Sequence, residues 1–198
     1  MRFGTYNLIV LVLIPVMFVN TVKAEPVQTQ EYKIKAAFLY NFIKFVDWPD
    51  EKPTNEKTIT IGIIGKNPFG KAFESVKDKQ VKDKKVIIKQ FQSLEESKLS
   101  NNQIEALRRC HVLFVCHSEK QQIRKIISTV KDHSVLTIAD MPDFLESGGM
   151  IYFLKEDEKI RFEINNTAAK QERLKIRSKL LRLAKRVIGE EISNGVKK

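Results

Sequence analysis

The chain has 198 residues, and 35 Lys and Arg against 24 Asp and Glu give it a formal net charge of +11. Hydrophobic residues make up 42% of the chain, which is long enough to bury a core. The sequence contains no internal repeat and no low-complexity linker, so it favours one domain and excludes repeat arrays.

The first 24 residues have the three-part layout of a secretory signal peptide. Arg2 gives a positive start, an apolar run extends from Leu8 to Val19, and Ala24 is a small residue before a cut at Glu25. The apolar run is shorter than the roughly 20 residues that span a bilayer. We predict cleavage after residue 24, with an uncleaved anchor as the alternative. The mature chain, residues 25–198, would then work outside the cytoplasm with a net charge lowered by two, to +9.

After this leader, the spacing of apolar residues predicts a helix over residues 31–46. Trp48-Pro49 ends it, because a residue before proline is disfavoured in the helical region, and a loop follows through Pro53. The next predicted elements are a strand over 58–65, a short helix over 69–76, a strand over 85–91, a helical turn over 104–109 and a strand over 111–116.

In the second half of the chain, Ser118 and Gln121 have the spacing of a capping box and predict a helix from Ser118 through Val130. A strand over 134–138 follows. Strands over 150–154 and 159–164 form an antiparallel hairpin because a short connection joins them. Asn165 or Asn166 caps a final helical region that extends to about Val187.

Strands that alternate with helices indicate an α/β fold. We predict a three-layer α/β/α sandwich, in which a mostly parallel sheet carries an antiparallel C-terminal hairpin. N- and C-terminal helices flank this sheet. Residues 25–198 are expected to form this single domain.

The two cysteines raise the question of a disulfide, because the chain is exported. Cys110 and Cys116 flank a run that is typical of a buried strand. Six residues of strand span roughly 20 Å, whereas the Cα atoms of a disulfide lie within about 7 Å. We predict two buried thiols that are not paired with each other. An intermolecular bridge is the alternative.

No motif predicts a catalytic, cofactor-binding or metal site. Gly65 to Ala72 fits a phosphate-binding loop, but Ala72 replaces the residue whose hydroxyl would bind Mg²⁺ and Pro68 removes a backbone donor. We interpret this segment as a strand-to-helix turn. The pairs Cys110-His111 and Cys116-His117 lie roughly 20 Å apart along a strand, which is too far for one ion.

The positive charge would ordinarily suggest nucleic acid as a partner, and export argues against that. Anionic lipid headgroups or an acidic protein face remain as partners, and solubility alone is the simplest explanation. The final helical region has an apolar side and a dense basic side. It is either a helix docked on the sheet with a solvated outer face or a basic surface that contacts lipid or an acidic partner.

Three stretches carry a resemblance to a known family. The first is residues 32–49 (Tyr-Lys-Ile-Lys-Ala-Ala-Phe-Leu-Tyr-Asn-Phe-Ile-Lys-Phe-Val-Asp-Trp-Pro), and the second is residues 110–115 followed by Ser118-Glu119. The third extends from Gly148-Gly149 through Phe162-Glu163-Ile164-Asn165 to residues 180–184. In this order the chain resembles the YfiR family of periplasmic regulators. A Gly-Leu pair usually precedes the family's final helix, and this chain has Arg173-Leu174 instead.

The resemblance implies an α/β/α domain, commonly dimeric, that binds the periplasmic sensor region of an inner-membrane diguanylate cyclase and holds it inactive. Cyclic-di-GMP output and biofilm formation then rise when the repressor is released. We therefore expect a non-enzymatic periplasmic regulator that forms a homodimer and touches anionic membrane through its basic C-terminal helix.

The alternative function is a periplasmic small-ligand-binding protein that acts on another membrane receptor. In a doubly wound sheet, the crevice at the carboxyl ends of the strands is the usual ligand site. Phe69, Ser118 and Asp140 are the candidate ligand or partner residues there. Each also has a simpler role, since Phe69 fits the core, Ser118 a helix cap and Asp140 a turn.

Overall fold

The structure is a computed structural model, and it describes residues 27–49, 57–94 and 100–189. The predicted signal peptide and most of the loop through Pro53 lie outside the described residues. The helices are α1 (Val27–Phe45), α2 (Asn101–Arg108), α3 (Ile123–Val130), α4 (Asn166–Gln171) and α5 (Ser178–Leu181), with 3-10 helices at Gly70–Ser75 and His117–Gln122. The strands are β1 (Val46–Asp47), β2 (Thr58–Ile64), β3 (Gln80–Val81), β4 (Lys84–Phe91), β5 (Val112–Val115), β6 (Leu136–Ala139), β7 (Ile151–Glu156), β8 (Lys159–Asn165), β9 (Lys175–Ile176) and β10 (Arg186–Ile188).

Eight strands form one sheet in the order β10-β8-β7-β6-β5-β2-β4-β3. Every neighbouring pair from β4 to β7 is parallel, and so is the pair of β8 with β10. The β7–β8 and β3–β4 pairs are antiparallel. The predicted fold class, a mostly parallel α/β sheet with an antiparallel hairpin near the C-terminus, is confirmed.

Two apolar clusters lie on the two faces of this sheet. α1, the first 3-10 helix, α4 and α5 cover one face, and α2 and α3 cover the other. β5 shows how the sequence divides between them, because Val112 and Phe114 face α1 whereas Leu113 and Val115 face the opposite layer. Side chains buried on both faces explain why the central strands are continuous apolar runs.

Among the described elements, α1 places the most buried hydrophobic side chains in the core. Ala36, Leu39 and Ile43 are fully buried, at the spacing of one helical face. Phe42 is stacked on Phe153 with ring centroids 5.6 Å apart. Burial of a Phe side chain stabilises a fold by about 1.5–3 kcal/mol, so this face fastens α1 firmly to the sheet.

The β7–β8 hairpin has a tighter turn than the sequence predicts. Only Asp157 and Glu158 lie between the two strands, and both have positive φ, at 46° and 59°. Two consecutive left-handed residues are the geometry of a type I′ turn, whose twist matches that of the flanking strands. The strands therefore continue closer to the turn than expected.

Two local features depart from the predictions in the middle of the chain. The predicted turn over 104–109 is a full helix, α2, and Ser100 caps it in a reciprocal capping box with Gln103. The short strand β3, which pairs with β4, was not predicted. Two residues are too few to show a period of two.

The prediction of one long C-terminal helix is wrong. Asn165 does cap a helix, with its Oδ1 accepting from the Ala168 N–H at 3.0 Å, but α4 ends at Gln171. Arg173 has a left-handed φ of 57°, which breaks the helix. The chain then forms β9 against β1, the single turn of α5, and β10 against β8. These long-range pairings satisfy the backbone groups that a helix would otherwise satisfy.

Candidate functional site

The carboxyl ends of β2, β5 and β6 lie side by side at one edge of the sheet. β4 and β5 pair with opposite sides of β2, so the strand order reverses there. Such a reversal is where doubly wound proteins place ligands. Phe69, Ser118 and Asp140 follow β2, β5 and β6 respectively, and all three lie at this edge. That they form a ligand or partner crevice stays a prediction.

Asp140 is held by side chains of α1 that enter this edge. Its Oδ2 accepts hydrogen bonds from the Tyr32 hydroxyl at 2.8 Å and from Lys35 Nζ at 2.6 Å. Lys35 also pairs with Glu31 one turn earlier. The Lys35 and Asp140 side chains are only 4% and 7% exposed, so this is a buried ion pair. Asp140 is therefore more than the turn residue that the sequence indicates.

Burial and the charge of Asp140 raise the pKa values of two neighbouring side chains. Burial, followed by the charge of Asp140, raises the pKa of the Tyr32 hydroxyl far above its usual value. The same two causes, joined by the charge of Glu119, raise the pKa of the Cys116 thiol. A thiol acts as a nucleophile only as the thiolate, so Cys116 is a poor candidate for covalent chemistry.

Ser118 does not cap a helix, and that prediction is wrong. It lies inside the second 3-10 helix, where Cys116 occupies the cap position without a side-chain hydrogen bond. Ser118 Oγ instead accepts from the Lys66 N–H and donates to Glu119 Oε1, each at 2.9 Å. It joins the start of this helix to the loop after β2.

Glu119 lies between the segments that follow β2 and β4. Its side chain is fully buried, and its Oε2 accepts from the Leu94 N–H at 2.8 Å. Gly65 has a φ of +98°, and a Cβ there would lie 2.4 Å from Ser118 Oγ. The close approach explains the glycine, because any larger residue would displace Ser118.

Phe69 lies in the core, as predicted, at 2% exposure. Its ring contacts Tyr32 and Phe114 at centroid distances of 5.1 and 4.8 Å. It also lines the floor of an open groove of about 670 Å³ between α1 and the first 3-10 helix, whose rim carries Lys33 and Lys71.

Sequence reasoning missed Tyr32, Lys35 and Glu119 at this edge. Tyr32, Lys35 and Leu39 share one face of α1, so a lysine on the apolar face of a helix was the available signal. For Glu119 the available signal was its place in the second stretch that carries the family resemblance, because the local pattern does not distinguish it from the exposed acids.

A second polar cluster joins the end of α1 to the C-terminal segment. Arg177 donates two hydrogen bonds to the Asp47 carboxylate, at 2.8 and 2.9 Å, and Lys82 Nζ donates to it at 2.6 Å. The hydrogen bond from Arg177 holds the pKa of Asp47 far below its usual range, with Lys82 adding to the effect. Next to it, the buried Trp48 indole N–H has no hydrogen-bond partner among the described residues.

The basic side chains of the C-terminal segment fall into two groups. Arg177, Lys185 and Arg186 pair with carboxylates. A second group is exposed, and none of its members forms an ion pair within the described residues. We call this group the basic surface: Lys170, Lys175, Lys179 and Arg182. Leu183, 62% exposed, directly follows Arg182 in the chain.

The first Cys-His pair makes hydrogen bonds to the backbone of the protein. Cys110 Sγ donates to the Ala106 carbonyl, and His111 Nδ1 accepts from the Thr60 N–H at 3.1 Å. Cys110 and Cys116 are both buried, and no disulfide joins them. Within the described parts of the chain, no three His, Cys, Asp or Glu side chains are grouped closely enough to bind a metal ion.

None of the described helices is both long enough and apolar enough to span a membrane.

Comparison with solved structures supports the fold alone. A conserved domain protein from Vibrio cholerae O1 biovar El Tor matches 79% of the chain at 10% identity with a TM-score of 0.50. A Streptococcus pneumonia ABC domain, solved in complex with L-Trp, matches 77% of the chain at 12% identity with a TM-score of 0.53. The matches cover 60% of each of those structures.

A comparison with curated proteins finds no match. A family model does match, over residues 32–185, and its description is YfiR/HmsC-like. The matched region extends from Tyr32 in α1 to Lys185, directly before β10, so it takes in both faces of the sheet. The chain therefore belongs to the YfiR/HmsC-like family.

Proposed function

We propose that this protein is a non-enzymatic repressor that binds the periplasmic sensor region of one inner-membrane diguanylate cyclase and holds it inactive. Release of the repressor would then raise cyclic-di-GMP and promote biofilm formation. The observation that carries the proposal is the family match, which spans residues 32–185.

We further propose that the protein reaches the periplasm after cleavage near Ala24 and acts there as a homodimer. The N-terminal sequence layout supports cleavage, and the family resemblance supports the dimer.

The basic surface is our candidate for the contact with the cyclase. Its four cations carry no ion pair within the described residues, so no carboxylate of that part of the chain has to be displaced on binding. Exposed Leu183 adds an apolar contact next to them. Such a surface is complementary to an acidic patch on a sensor domain, and charge complementarity speeds association and fixes orientation.

Deletion of the gene in the source organism tests the regulatory role. We expect cyclic-di-GMP, measured by mass spectrometry of cell extracts, to rise and to return to its original level when the gene is restored. An unchanged level, with no cyclase co-purifying with the tagged protein, would contradict the proposal.

Charge reversal tests the surface. In the deletion strain, the variant Lys170→Glu/Lys175→Glu/Lys179→Glu/Arg182→Glu should fail to lower cyclic-di-GMP and should no longer co-purify with the cyclase. The matched control reverses four exposed cations outside this segment: Lys89, Lys120, Arg124 and Lys125.

The control variant should restore repression as the wild type does. Equal repression by both variants would rule out the basic surface as the contact. Binding of the charge-reversed variant to vesicles of anionic phospholipid is measured as well. If this variant loses vesicle binding but still lowers cyclic-di-GMP, the basic surface contacts the membrane and not the cyclase.

A further inference from the structure

A cavity of about 450 Å³ opens near the start of β6, at the opposite end of this strand from Asp140. Its walls come from the end of α3, from β6, from the connection between β6 and β7, and from α4. The buried part of the wall is mostly apolar, with Val130, Val135, Leu145 and Met150 there, whereas the exposed Lys131 and Glu146 line its open side. The volume lies in the range of about 300–1,000 Å³ that is typical of small-molecule sites.

One buried polar group in this wall is unsatisfied. Thr137 lines the cavity and is 1% exposed, and its Oγ1 has no hydrogen-bond partner among the described residues. A threonine hydroxyl both donates and accepts hydrogen bonds. Folded proteins rarely leave such a group buried without a partner, because its lost hydration is not replaced.

The neighbouring polar groups already have partners. Asn165 Oδ1 accepts from the Ala168 N–H at 3.0 Å, and its Nδ2 donates to the Leu145 carbonyl at 3.3 Å. The two oxygens of Glu172 accept from backbone N–H groups of the connection between α3 and β6, at 3.0 and 3.2 Å. Thr137 is thus the buried side chain of this wall that is left to recognise a ligand.

We propose that this cavity binds a small, neutral, largely apolar molecule whose one hydroxyl or carbonyl group hydrogen-bonds to Thr137 Oγ1. The apolar wall favours an apolar body. The polar group is neutral, because one hydroxyl does not compensate for the burial of an ionised carboxylate or ammonium. The cavity shares α4 with Lys170, but no residue of the basic surface lines it, and the proposal does not rest on the regulatory function proposed above.

Three matched probes test the ligand class on the purified mature protein: naphthylethanol, ethylnaphthalene and naphthylacetate. We follow the methyl resonances of Thr137 and Met150 by NMR during each titration. Naphthylethanol should shift both resonances in a saturable way. Ethylnaphthalene lacks the hydroxyl, and naphthylacetate is charged, so each should bind about tenfold more weakly or not at all.

Two substitutions of Thr137 test the hydrogen bond. Thr137→Val keeps the shape but removes the hydroxyl, so naphthylethanol should bind about tenfold more weakly while ethylnaphthalene is unaffected. Thr137→Ser keeps the hydroxyl and should retain most of the affinity. The thermal midpoint of Thr137→Val should stay equal or rise, because the substitution removes an unpaired buried polar group.

A third variant fills the cavity. Ile127 is half-buried in its wall, and Ile127→Phe should abolish binding of naphthylethanol while the protein remains folded. The proposal is overturned if naphthylethanol causes no saturable shift at Thr137 and Met150. It is equally overturned if naphthylethanol binds the wild type and Thr137→Val with the same affinity.

Discussion

At the scale of single residues, the buried ion pair of Lys35 and Asp140 is the contact at the carboxyl ends of the strands that we expect to matter most for stability. Taking two charges out of water is costly, and the pair offsets that cost only while both partners are present. The Tyr32 hydroxyl donates a hydrogen bond to Asp140, and Glu31 accepts one from Lys35. The arrangement therefore fixes where α1 sits on the sheet.

Removal of one partner of the Lys35–Asp140 ion pair should strongly destabilise the fold. We expect Lys35→Met to lower the free energy of unfolding by about 3 kcal/mol, because Asp140 is left buried without its cation. Urea unfolding followed by circular dichroism measures this loss. The double variant Lys35→Met/Asp140→Asn should lose less than the sum of the single variants. Additive losses would show that the two side chains are not energetically coupled.

Asp47 gives a prediction about pH. Its pKa is lowered in the folded state, chiefly by Arg177, so its contribution to stability is present above the unfolded pKa of about 4 and is lost as the pH falls below it. The stability difference between wild type and Asp47→Asn should accordingly be largest near pH 7 and shrink toward pH 3.

Unfolding in urea at several pH values measures this difference. Glu74→Gln is the control for loss of a carboxylate, because Glu74 is exposed and makes no ion pair within the described residues. A stability difference for Asp47→Asn that stays constant from pH 7 to pH 3 would contradict the role of the ion pair.

At the scale of elements, the C-terminal segment shows how one residue sets a boundary. Arg173 adopts the left-handed conformation between α4 and β9. A side chain costs roughly 1–2 kcal/mol in this conformation. The helix ends there despite this cost, and burial of Leu174 and Ile176 directly after Arg173 offsets it.

Glycine at this position should relieve the strain. We expect Arg173→Gly to be more stable than Arg173→Ala by about 1 kcal/mol, and the comparison cancels the lost arginine side chain. Inside α4 the order should reverse, so that Lys170→Gly is less stable than Lys170→Ala by about 0.5–1 kcal/mol. Chemical denaturation of the four variants measures both differences. The same order at both positions would contradict the left-handed assignment.

At the scale of the whole molecule, the N-terminal layout makes export testable. The intact mass of the protein from the periplasmic fraction should correspond to residues 25–198. Ala24→Leu should slow processing, because the position before the cut requires a small residue. A periplasmic protein that keeps Met1 would favour the uncleaved anchor.

The sequence predicts the sheet well because its central strands are apolar on both faces and alternate with periodic helices. It also places Phe69, Ser118 and Asp140 at one edge, since parallel strands end together. It does not predict which side chains contact Asp140, because Tyr32 and Lys35 are 108 and 105 residues away from it in the sequence. The C-terminal region was mistaken for a helix for the same reason, since β9 and β10 pair with distant strands.

The two edges of the large sheet have a consequence for self-association. β3 pairs only with Lys84 and Lys85 of β4, and β10 pairs only with the last three residues of β8, so the remainder of β4 and of β8 forms part of each edge. Exposed lysines lie on both of these parts, at Lys89 and Lys159. Lysine side chains on an edge strand oppose pairing with another chain, which protects a sheet protein against aggregation. We therefore expect any homodimer to form through a helical face, and not by continuation of the sheet from one copy into the next.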